Sequence, residues 1–357
     1  MTLDQLADAG VLTSRQIERT VTGILALQRP DGAIPWFHGD KLDPWDHVEA
    51  AMALDAAGQH AAARRAYRWL AGAQNEDGSF HAEYADGPFG VTEPTDLIKD
   101  ANFTAYAAVG AYHHYLATGE PGMLKELWPT VVRAVDFVID LQRPDGAIRW
   151  HPGSPEALLT GCSSIYLSLR CALAAAQALG ESRPEWELAA VELGHALTAH
   201  PEAFSPKERY SMDWYYPVLG TALRGPAAHD RILAGWDRFV EPGRGVRCVD
   251  NRPWVTGGES FELAIALWAL GRSGQARRVA TQASACLRDT DGMYWTGYVY
   301  ADKAVWPEEK TTWTAGSALL ALAVLGGEPA SSAVFGGELP EILAVDCAAE
   351  RCVAAAR

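Results

Sequence analysis

The chain has no CxxC motif and no long apolar run, and its N-terminal stretch is poor in basic residues. Its six cysteines are scattered through 357 residues without a CxxC pair, which fits reduced thiols better than a disulfide framework or a zinc site. Its apolar runs fall short of the about 18 residues that a membrane helix needs, and its N-terminal stretch lacks a basic segment followed by an apolar one. We therefore expect a soluble, cytoplasmic protein without a membrane span, a bound metal or another cofactor.

Basic residues are too few to balance the acidic ones. The chain contains 30 Lys and Arg against 45 Asp and Glu, and its net charge is −15. This excess of negative charge opposes binding to nucleic acid and to anionic membranes. Neutral or cationic small molecules are easier for such a protein to accept, and the oligomeric state stays open.

One phrase of the sequence occurs twice. Residues 27–36 read LQRPDGAIPW and residues 141–150 read LQRPDGAIRW. Such internal repetition indicates a repeat architecture, in which we interpret the phrase as punctuation between repeated units. Weaker forms, which keep an Asp-Gly turn, a closing aromatic residue or only the position, lie at 73–84, 201–214, 240–254 and 287–295.

Twelve helix-like stretches alternate with these six loops. Half of them carry charge on one face, as surface helices do, and the other half are apolar nearly all round, as buried helices are. The sequence therefore predicts an all-α domain over residues 1–327, built from six hairpins in an outer and an inner ring. We expect the tail at 328–357 either to pack on the barrel or to trail from it. The predicted helix pairs are 14–28 with 45–57, 59–74 with 94–118, 122–142 with 160–180, 183–200 with 212–223, 226–240 with 258–271, and 274–288 with 311–326.

Two stretches, 100–148 and 305–326, resemble hairpins of the six-hairpin glycosidase superfamily, which includes glucoamylase-like hydrolases and related sugar epimerases. The repeated phrase is similar to the QW repeats of terpenoid cyclases and protein prenyltransferases. Both groups share the (α/α)6 toroid, so the resemblance implies this fold. The chain, however, lacks the motifs that isoprenoid chemistry requires, because it contains neither DxDD nor DDxxD. The segment VDCAAERC at 345–352 also lacks the histidine of a prenyltransferase zinc site.

Acidic residues gather where the predicted inner helices begin. Glycoside cleavage needs one carboxyl group held protonated as an acid and another kept ionised as a base or nucleophile. Asp43 and Glu308 have the positions of helix caps. The resemblance to glucoamylase-like hydrolases implies an acid in the loop of Glu156 and a base at Glu308 or Glu309. With the acids that lie deeper on apolar helices, the catalytic candidates are Asp46, Asp100, Glu156, Asp213, Glu262, Glu308 and Glu309.

Aromatic residues and histidines fall in or just after the same loops. Flat rings beside carboxylates are typical of sugar-binding sites, because they contact the faces of sugar rings while polar groups bind the hydroxyls. The candidate substrate-binding residues are Trp36, His38, Trp45, His47, Trp150, Trp214, Tyr215, Trp254, Trp295, Tyr298, Trp306 and Trp313.

These patterns together favour a glycoside hydrolase that acts on a carbohydrate or glycoconjugate in the mouth of a toroid. Three alternatives stay open: an isoprenoid enzyme that uses unfamiliar acids, a sugar epimerase and a non-catalytic toroid. Epimerases of this fold use histidines as acid and base, which keeps that alternative open. A cavity of apolar rings without paired carboxylates would favour the isoprenoid enzyme. Carboxylates engaged only as helix caps would favour a toroid that merely binds a glycan or a partner protein.

Overall fold

A computed structural model describes residues 3–87, 92–340 and 342 of the chain. Helices make up most of it, joined by long loops at one end and short turns at the other. The helices are α1 Leu3–Ala7, α2 Ser14–Leu27, α3 Pro44–Ala56, α4 His60–Ala73, α5 Ala101–Ala105, α6 Ala107–Thr118, α7 Pro121–Ile139, α8 Leu159–Leu179, α9 Pro184–Ala199, α10 Ser211–Leu219, α11 Gly225–Phe239, α12 Gly257–Ala269, α13 Ser273–Leu287, α14 Thr312–Leu325 and α15 Pro329–Gly336.

The inner ring closes on itself. Helix α3 packs on α6, α6 on α8, α8 on α10, α10 on α12, α12 on α14, and α14 returns to α3. Surrounded in this way, α14 buries every residue except Trp313 and Leu325. The outer helix α2 instead buries a single stripe, as an amphipathic surface helix does: Ile17, Thr20, Val21 and Ile24. The chain is an (α/α)6 toroid, as the sequence predicts.

The repeated phrase ties neighbouring outer helices together. Gly146 has a φ of +83°, and a Cβ placed on it would lie 2.4 Å from the carbonyl oxygen of Glu192 on α9. Glycine is therefore required both by the backbone conformation and by the close approach. The side-chain amide of Gln142 donates to the carbonyl oxygens of Gly146 and Ala189, each at 2.9 Å. The phrase is structural punctuation, and Gly32 makes the equivalent approach to α4.

Part of the long loops forms strands where the sequence predicts helix or turn. The stretch expected as one helix over 94–118 begins as a strand, and its helix starts only at 101, where Asp100 accepts a hydrogen bond from the Phe103 N–H and caps α5. The TEPTD sequence before it contains a proline and β-branched threonines, which disfavour a helix interior. The strands are β1 Glu83–Asp86 with β2 Thr92–Asp96, and a sheet of β3 Val240–Glu241, β4 Gly245–Arg247, β5 Trp254–Thr256, β6 Gly297–Val299 and β7 Ala304–Val305.

The C-terminal helix α15 closes the end of the toroid opposite the long loops. It packs on the inner helices α6, α12 and α14, and the buried Arg170 donates to the carbonyl oxygens of Gly337, Leu339 and Pro340. The sequence predicts a tail that packs on the barrel or trails from it, and the apolar residues of α15 cover the ends of the inner helices. The rest of the predicted tail, 341 and 343–357, lies outside the described residues.

One inner helix has the length and composition of a membrane span. This helix is α8, and 83% of its apolar window is buried inside the protein; the bent pair of α14 and α15 passes the same test as a pair. Both are packed against the inner ring, which explains their apolar composition. Within the described residues, Cys162, Cys171, Cys248 and Cys286 carry free thiols.

Candidate active site

The long loops and the N-terminal ends of the inner helices together form the mouth of the toroid. On α3 the side chains of Asp46 and Glu49 follow each other at a spacing of three residues, and on α12 Glu259 and Glu262 do the same. This spacing places each pair on one helix face. All four side chains are buried, and Glu262 is only 2% exposed. Four carboxyl groups therefore share the floor of the mouth, contributed by two helices that both pack on α14.

Asp46 is a carboxyl group biased towards its protonated form. Burial raises the pKa of Asp46 well above its ordinary value, and the neighbouring charges of Asp43, Glu49 and Glu262 raise it further. Asp43 caps α3 by accepting a hydrogen bond from the Asp46 N–H at 2.9 Å and another from the indole Nε1 of Trp36 at 3.1 Å. Because these donors stabilise the ionised form of Asp43, the proton of the pair resides on Asp46.

Glu262 differs from Asp46 in its hydrogen-bond partners, which are two tyrosine hydroxyls. Tyr215 donates its hydroxyl hydrogen to one carboxyl oxygen, and Tyr216 donates to the other at 2.6 Å. Burial, followed by the charge of Glu49, raises the pKa of Glu262 well above its ordinary value, and the two tyrosine hydroxyls oppose that rise. A carboxyl group that accepts a hydrogen bond on each oxygen is stabilised as the carboxylate.

Glu49 lies between these two groups. It accepts hydrogen bonds from the hydroxyl of Tyr106 at 3.3 Å and from the hydroxyl of Ser317 at 3.4 Å. Trp313 also donates to it, and burial raises its pKa to about 7. The floor of the mouth thus combines an acid whose pKa is raised by burial and by three neighbouring carboxyl groups, a carboxyl group that accepts a hydrogen bond from each of two tyrosines, and a third whose pKa is about 7. Such a set of unequal carboxyl groups is suited to acid–base cleavage of a glycosidic bond.

An aromatic wall stands beside the carboxyl groups. The ring of Trp45 contacts those of Phe103, Tyr106 and Tyr216, with centroids 5.5–5.9 Å apart. Trp45 and Phe103 are half-buried at the helix N-termini, whereas the two tyrosines are buried beneath them. The indole N–H of Trp45 is buried and has no partner among the described residues. The wall therefore offers flat apolar surface and one free donor next to the acids.

Other predicted acids lie away from this floor. Asp100 caps α5 and accepts a hydrogen bond from the indole of Trp150, and burial raises its pKa to about 6. Asp213 accepts a hydrogen bond from Thr160 at 2.6 Å, and burial raises its pKa. Glu309 lies on the rim, where burial and then the charge of Asp40 raise its pKa. The remaining two candidates, Glu156 and Glu308, are exposed in loops.

Two residues expected to bind substrate lie in the protein core instead. His47 is completely buried: its Nδ1 accepts the backbone N–H of Ile34 at 3.1 Å and its Nε2 lies 3.0 Å from the carbonyl oxygen of Ala66. Burial lowers its pKa to about 4. Trp214 stacks on Phe239 with centroids 5.3 Å apart. We therefore assign both residues to packing, because the apolar surface of α3 and α10 faces the outer helices as well as the mouth.

The other candidates lie in the loops of the mouth, except Trp313 and Tyr215, which lie near the starts of α14 and α10. Trp36 lies beneath Lys41 and Trp295 beneath Lys310, at 4.7 and 4.4 Å from nitrogen to ring centroid. Trp313 packs over Gly258 and donates a hydrogen bond to Glu49. The hydroxyl of Tyr215 donates a hydrogen bond to Glu262. The half-buried or exposed remainder are His38, Trp150, Trp254, Tyr298 and Trp306.

The candidates named from the sequence leave out four members of the floor. Glu49 and Glu259 could have been found from their spacing of three residues to Asp46 and Glu262, which puts each pair on one helix face. Tyr106 and Tyr216 give no such signal, because their roles depend on contacts with Glu49 and Glu262 from other hairpins. Within the described residues, no group of three or more His, Cys, Asp or Glu side chains is arranged to hold a metal ion.

The chain is similar over nearly its whole length to a named enzyme. It is 50% identical over 346 residues to the MMP endo-(1,4)-3-O-methyl-alpha-D-mannosidase of Mycolicibacterium hassiacum, a similarity that covers 95% of each chain. No family model matches the sequence. An isoprenoid enzyme gains no support from this similarity, whereas the glycoside hydrolase predicted from the sequence does.

Solved structures show the same fold at low sequence identity. A glycosidase in complex with glucose superimposes with a TM-score of 0.71 at 16% identity, covering 91% of this chain and 98% of that one. The GH63 mannosylglycerate hydrolase of Thermus thermophilus gives a TM-score of 0.64 at 14% identity, covering 86% and 98%. At these identities the similarity shows the toroid fold alone.

Proposed function

The chain belongs to the family of the Mycolicibacterium hassiacum endo-(1,4)-3-O-methyl-α-D-mannosidase, and from this premise we propose that it cleaves internal (1,4) bonds between 3-O-methyl-D-mannose units. It is a glycoside hydrolase, and its substrates are carbohydrates. The 50% identity extends over 95% of both chains, so the mouth is built from corresponding segments in the two proteins.

The observation that carries the proposal is the inequality of the buried carboxyl groups. Burial, and then the negative charges of Asp43, Glu49 and Glu262, raise the pKa of Asp46 and favour its protonated form. Glu262 accepts hydrogen bonds from the hydroxyls of Tyr215 and Tyr216, which favour its carboxylate form against the effect of burial. A glycoside hydrolase needs one group in each of these states at the same pH. We assign Asp46 as the general acid and Glu262 as the general base.

The reaction then proceeds by proton transfer on both sides of the cleaved bond. Asp46 gives its proton to the glycosidic oxygen while the bond from that oxygen to the anomeric carbon breaks. Glu262 takes a proton from a water molecule, whose oxygen forms the new bond to the anomeric carbon. The sum of the two transfers is the addition of one water molecule across the glycosidic bond. Glu49, which titrates near neutrality, lies beside both groups and adjusts their proton affinity.

The aromatic wall supports a methylated sugar as substrate. A methyl ether replaces a hydroxyl donor by an apolar group, so it gains from contact with flat rings rather than from hydrogen bonds. Trp45 and Phe103 present such rings next to Asp46 at the entrance to the floor. The net charge of −15 also suits a neutral polysaccharide, because no anionic substrate has to approach an acidic surface.

The experiment offers the protein a defined set of sugars. Purified protein is incubated with an α-(1,4)-linked oligosaccharide of 3-O-methyl-D-mannose and with its unmethylated counterpart, and the products are followed by mass spectrometry. The proposal requires fragments from the middle of the methylated chain and slower cleavage of the unmethylated one. Release of single sugars from one end, or equal cleavage of both chains, would contradict it. An epimerised product of unchanged mass would favour the isomerase alternative.

A further inference from the structure

Trp306 is 56% exposed at the mouth of the toroid. It follows β7, the edge strand of the five-stranded sheet, and lies on the same loop as Glu309. A large exposed ring costs hydration free energy unless something covers it. An exposed tryptophan at the rim of the mouth therefore needs an explanation different from that of an isolated surface residue.

The ring is held rigidly. Trp306 and Trp254 meet edge to face, with centroids 5.1 Å apart and an angle of 73° between the rings. The indole N–H of Trp254 donates to the carbonyl oxygen of Trp306 at 2.8 Å, and the Trp306 N–H donates to Gly297 at 2.9 Å. A Cβ on Gly297 would lie 2.2 Å from the Trp254 indole nitrogen, so the glycine allows that ring to rest on the sheet.

The chain limits the distance between this pair of rings and the acids of the floor. Trp254 begins β5, which runs directly into α12, the helix that carries Glu262. Three strand steps and five helical steps separate the two residues in the chain. At about 3.3 Å and 1.5 Å per step, Trp254 lies at most roughly 18 Å from Glu262. Trp306 is exposed on a rim loop whereas Glu262 is buried on the floor, so the rings lie at the rim of the mouth within that distance of the acids.

We propose that Trp254 and Trp306 form a remote subsite that binds sugar units of the polysaccharide away from the cleaved bond. The inference rests on the proposed function, and it adds where the rest of the polymer lies. Rigid aromatic rings lose little conformational entropy when a ligand covers them. The apolar faces and methyl ethers of the proposed polymer are complementary to such rings.

A subsite of this kind affects long and short substrates differently. Units bound at Trp306 take no part in bond cleavage, so they strengthen binding of the ground state and the transition state equally. Uniform binding of this sort lowers KM and leaves kcat unchanged. Only chains long enough to reach from the floor to the sheet gain from it, which favours cleavage within long chains over cleavage of fragments.

The test compares W306A with wild type on methylated oligosaccharides of increasing length. For long chains KM should rise about ten-fold, the equivalent of one lost ring contact, with kcat unchanged. For the shortest cleaved oligosaccharide both constants should stay as in wild type. W306F should retain most of the length dependence. The matched control is L233A, which removes a side chain that is 57% exposed on the outer helix α11 and should change neither constant.

Each outcome decides between the subsite and the function on which it rests. Wild-type protein that cleaves long chains, together with a W306A variant of unchanged length dependence, would refute the subsite alone. An equal loss of activity on short and long chains would show that Trp306 acts at the floor, which also overturns the subsite. Wild-type protein that cleaves no methylated chain would refute the proposed function and the subsite together.

Discussion

Tyr216 donates its hydroxyl hydrogen to Oε1 of Glu262 at 2.6 Å, joining the fourth and fifth inner helices at the floor of the mouth. Tyr215, the preceding residue, donates to the other oxygen. Consecutive residues of a helix point about 100° apart, and these two hydroxyls nevertheless converge on one carboxyl group. The carboxyl group is thereby fixed in position, and both donors favour its ionised form, the form that a general base requires.

Replacing Tyr216 with Phe should shift the pH dependence of the enzyme. The lost donor stabilised the ionised form of Glu262, so the pKa of Glu262 rises further above its ordinary value. Activity needs this carboxylate, and the acid limb of the kcat/KM profile therefore moves to higher pH, with about ten-fold lower activity below the new limb. The control is Y294F, because Tyr294 is equally buried but lies next to Ser284 rather than a carboxylate. An unmoved acid limb in Y216F would contradict the role of Glu262.

Replacing Asp46 with Asn should separate protonation from the other steps. Cleavage of the natural bond should slow by roughly 10²–10⁴-fold, because the leaving oxygen no longer receives a proton. An aryl glycoside of the methylated oligosaccharide has a leaving group that needs little protonation, so its cleavage by D46N should be much less affected. Steady-state rates on the two substrates measure this difference. An equal loss on both would assign Asp46 a role other than that of the acid.

The same variant should change how stability depends on pH. In wild type the pKa of Asp46 is raised well above its ordinary value of 3.8 in the folded state. The folded protein therefore binds this proton more tightly than the unfolded chain, and the resulting stabilisation is complete below pH 3.8 and is lost as pH rises through the folded pKa. D46N does not lose stability in this way, because the asparagine amide does not titrate. Thermal unfolding should show D46N gaining melting temperature relative to wild type as pH increases, and a constant difference across pH would be the opposite result.

The glycine of the repeated phrase should be important for stability rather than for catalysis. Gly146 and Gly180 have φ angles of +83° and +76°, so alanine strains the backbone at both, by about 1 kcal/mol. At Gly146 the added carbon also meets the carbonyl oxygen of Glu192, whereas nothing lies within 4 Å at Gly180. Urea unfolding should show that G146A loses at least about 2 kcal/mol more than G180A. Equal losses would mean that the close approach has no energetic consequence.

The fold was predictable because the distribution of apolar residues around each helix shows which of its faces are buried. An inner helix such as α14 is apolar on all sides, and an outer helix such as α2 has one apolar stripe, so ring and order follow from the sequence. The helix start at 101 was missed because the cap formed by Asp100 decides it, and propensity over 94–100 does not. The fold also explains the repeated phrase, whose Gln142 and Gly146 connect to the next outer helix.

The floor of the site was only partly predictable, because ring closure assembles it. Asp46 and Glu262 stood out as acids on apolar helices, but their surroundings depend on the assembled ring: burial raises the pKa of Asp46 first of all, and Tyr216 from another hairpin donates to Glu262. Transfer by position from glucoamylase-like hydrolases pointed to Glu309, which lies on the rim near Asp40 rather than among the buried acids. His47 illustrates the reverse case, since a polar residue in the right segment points into the core.

The most direct measurement compares E262Q with E309Q on the methylated oligosaccharide. Both changes exchange a carboxylate for an amide of the same shape, one at the floor and one at the rim. If Glu262 is the base, E262Q should lower kcat by roughly 10²–10⁴-fold, E309Q should stay within a few-fold of wild type, and neither should lose melting temperature. Full activity in E262Q together with loss of activity in E309Q would contradict the account and move the catalytic base to the rim.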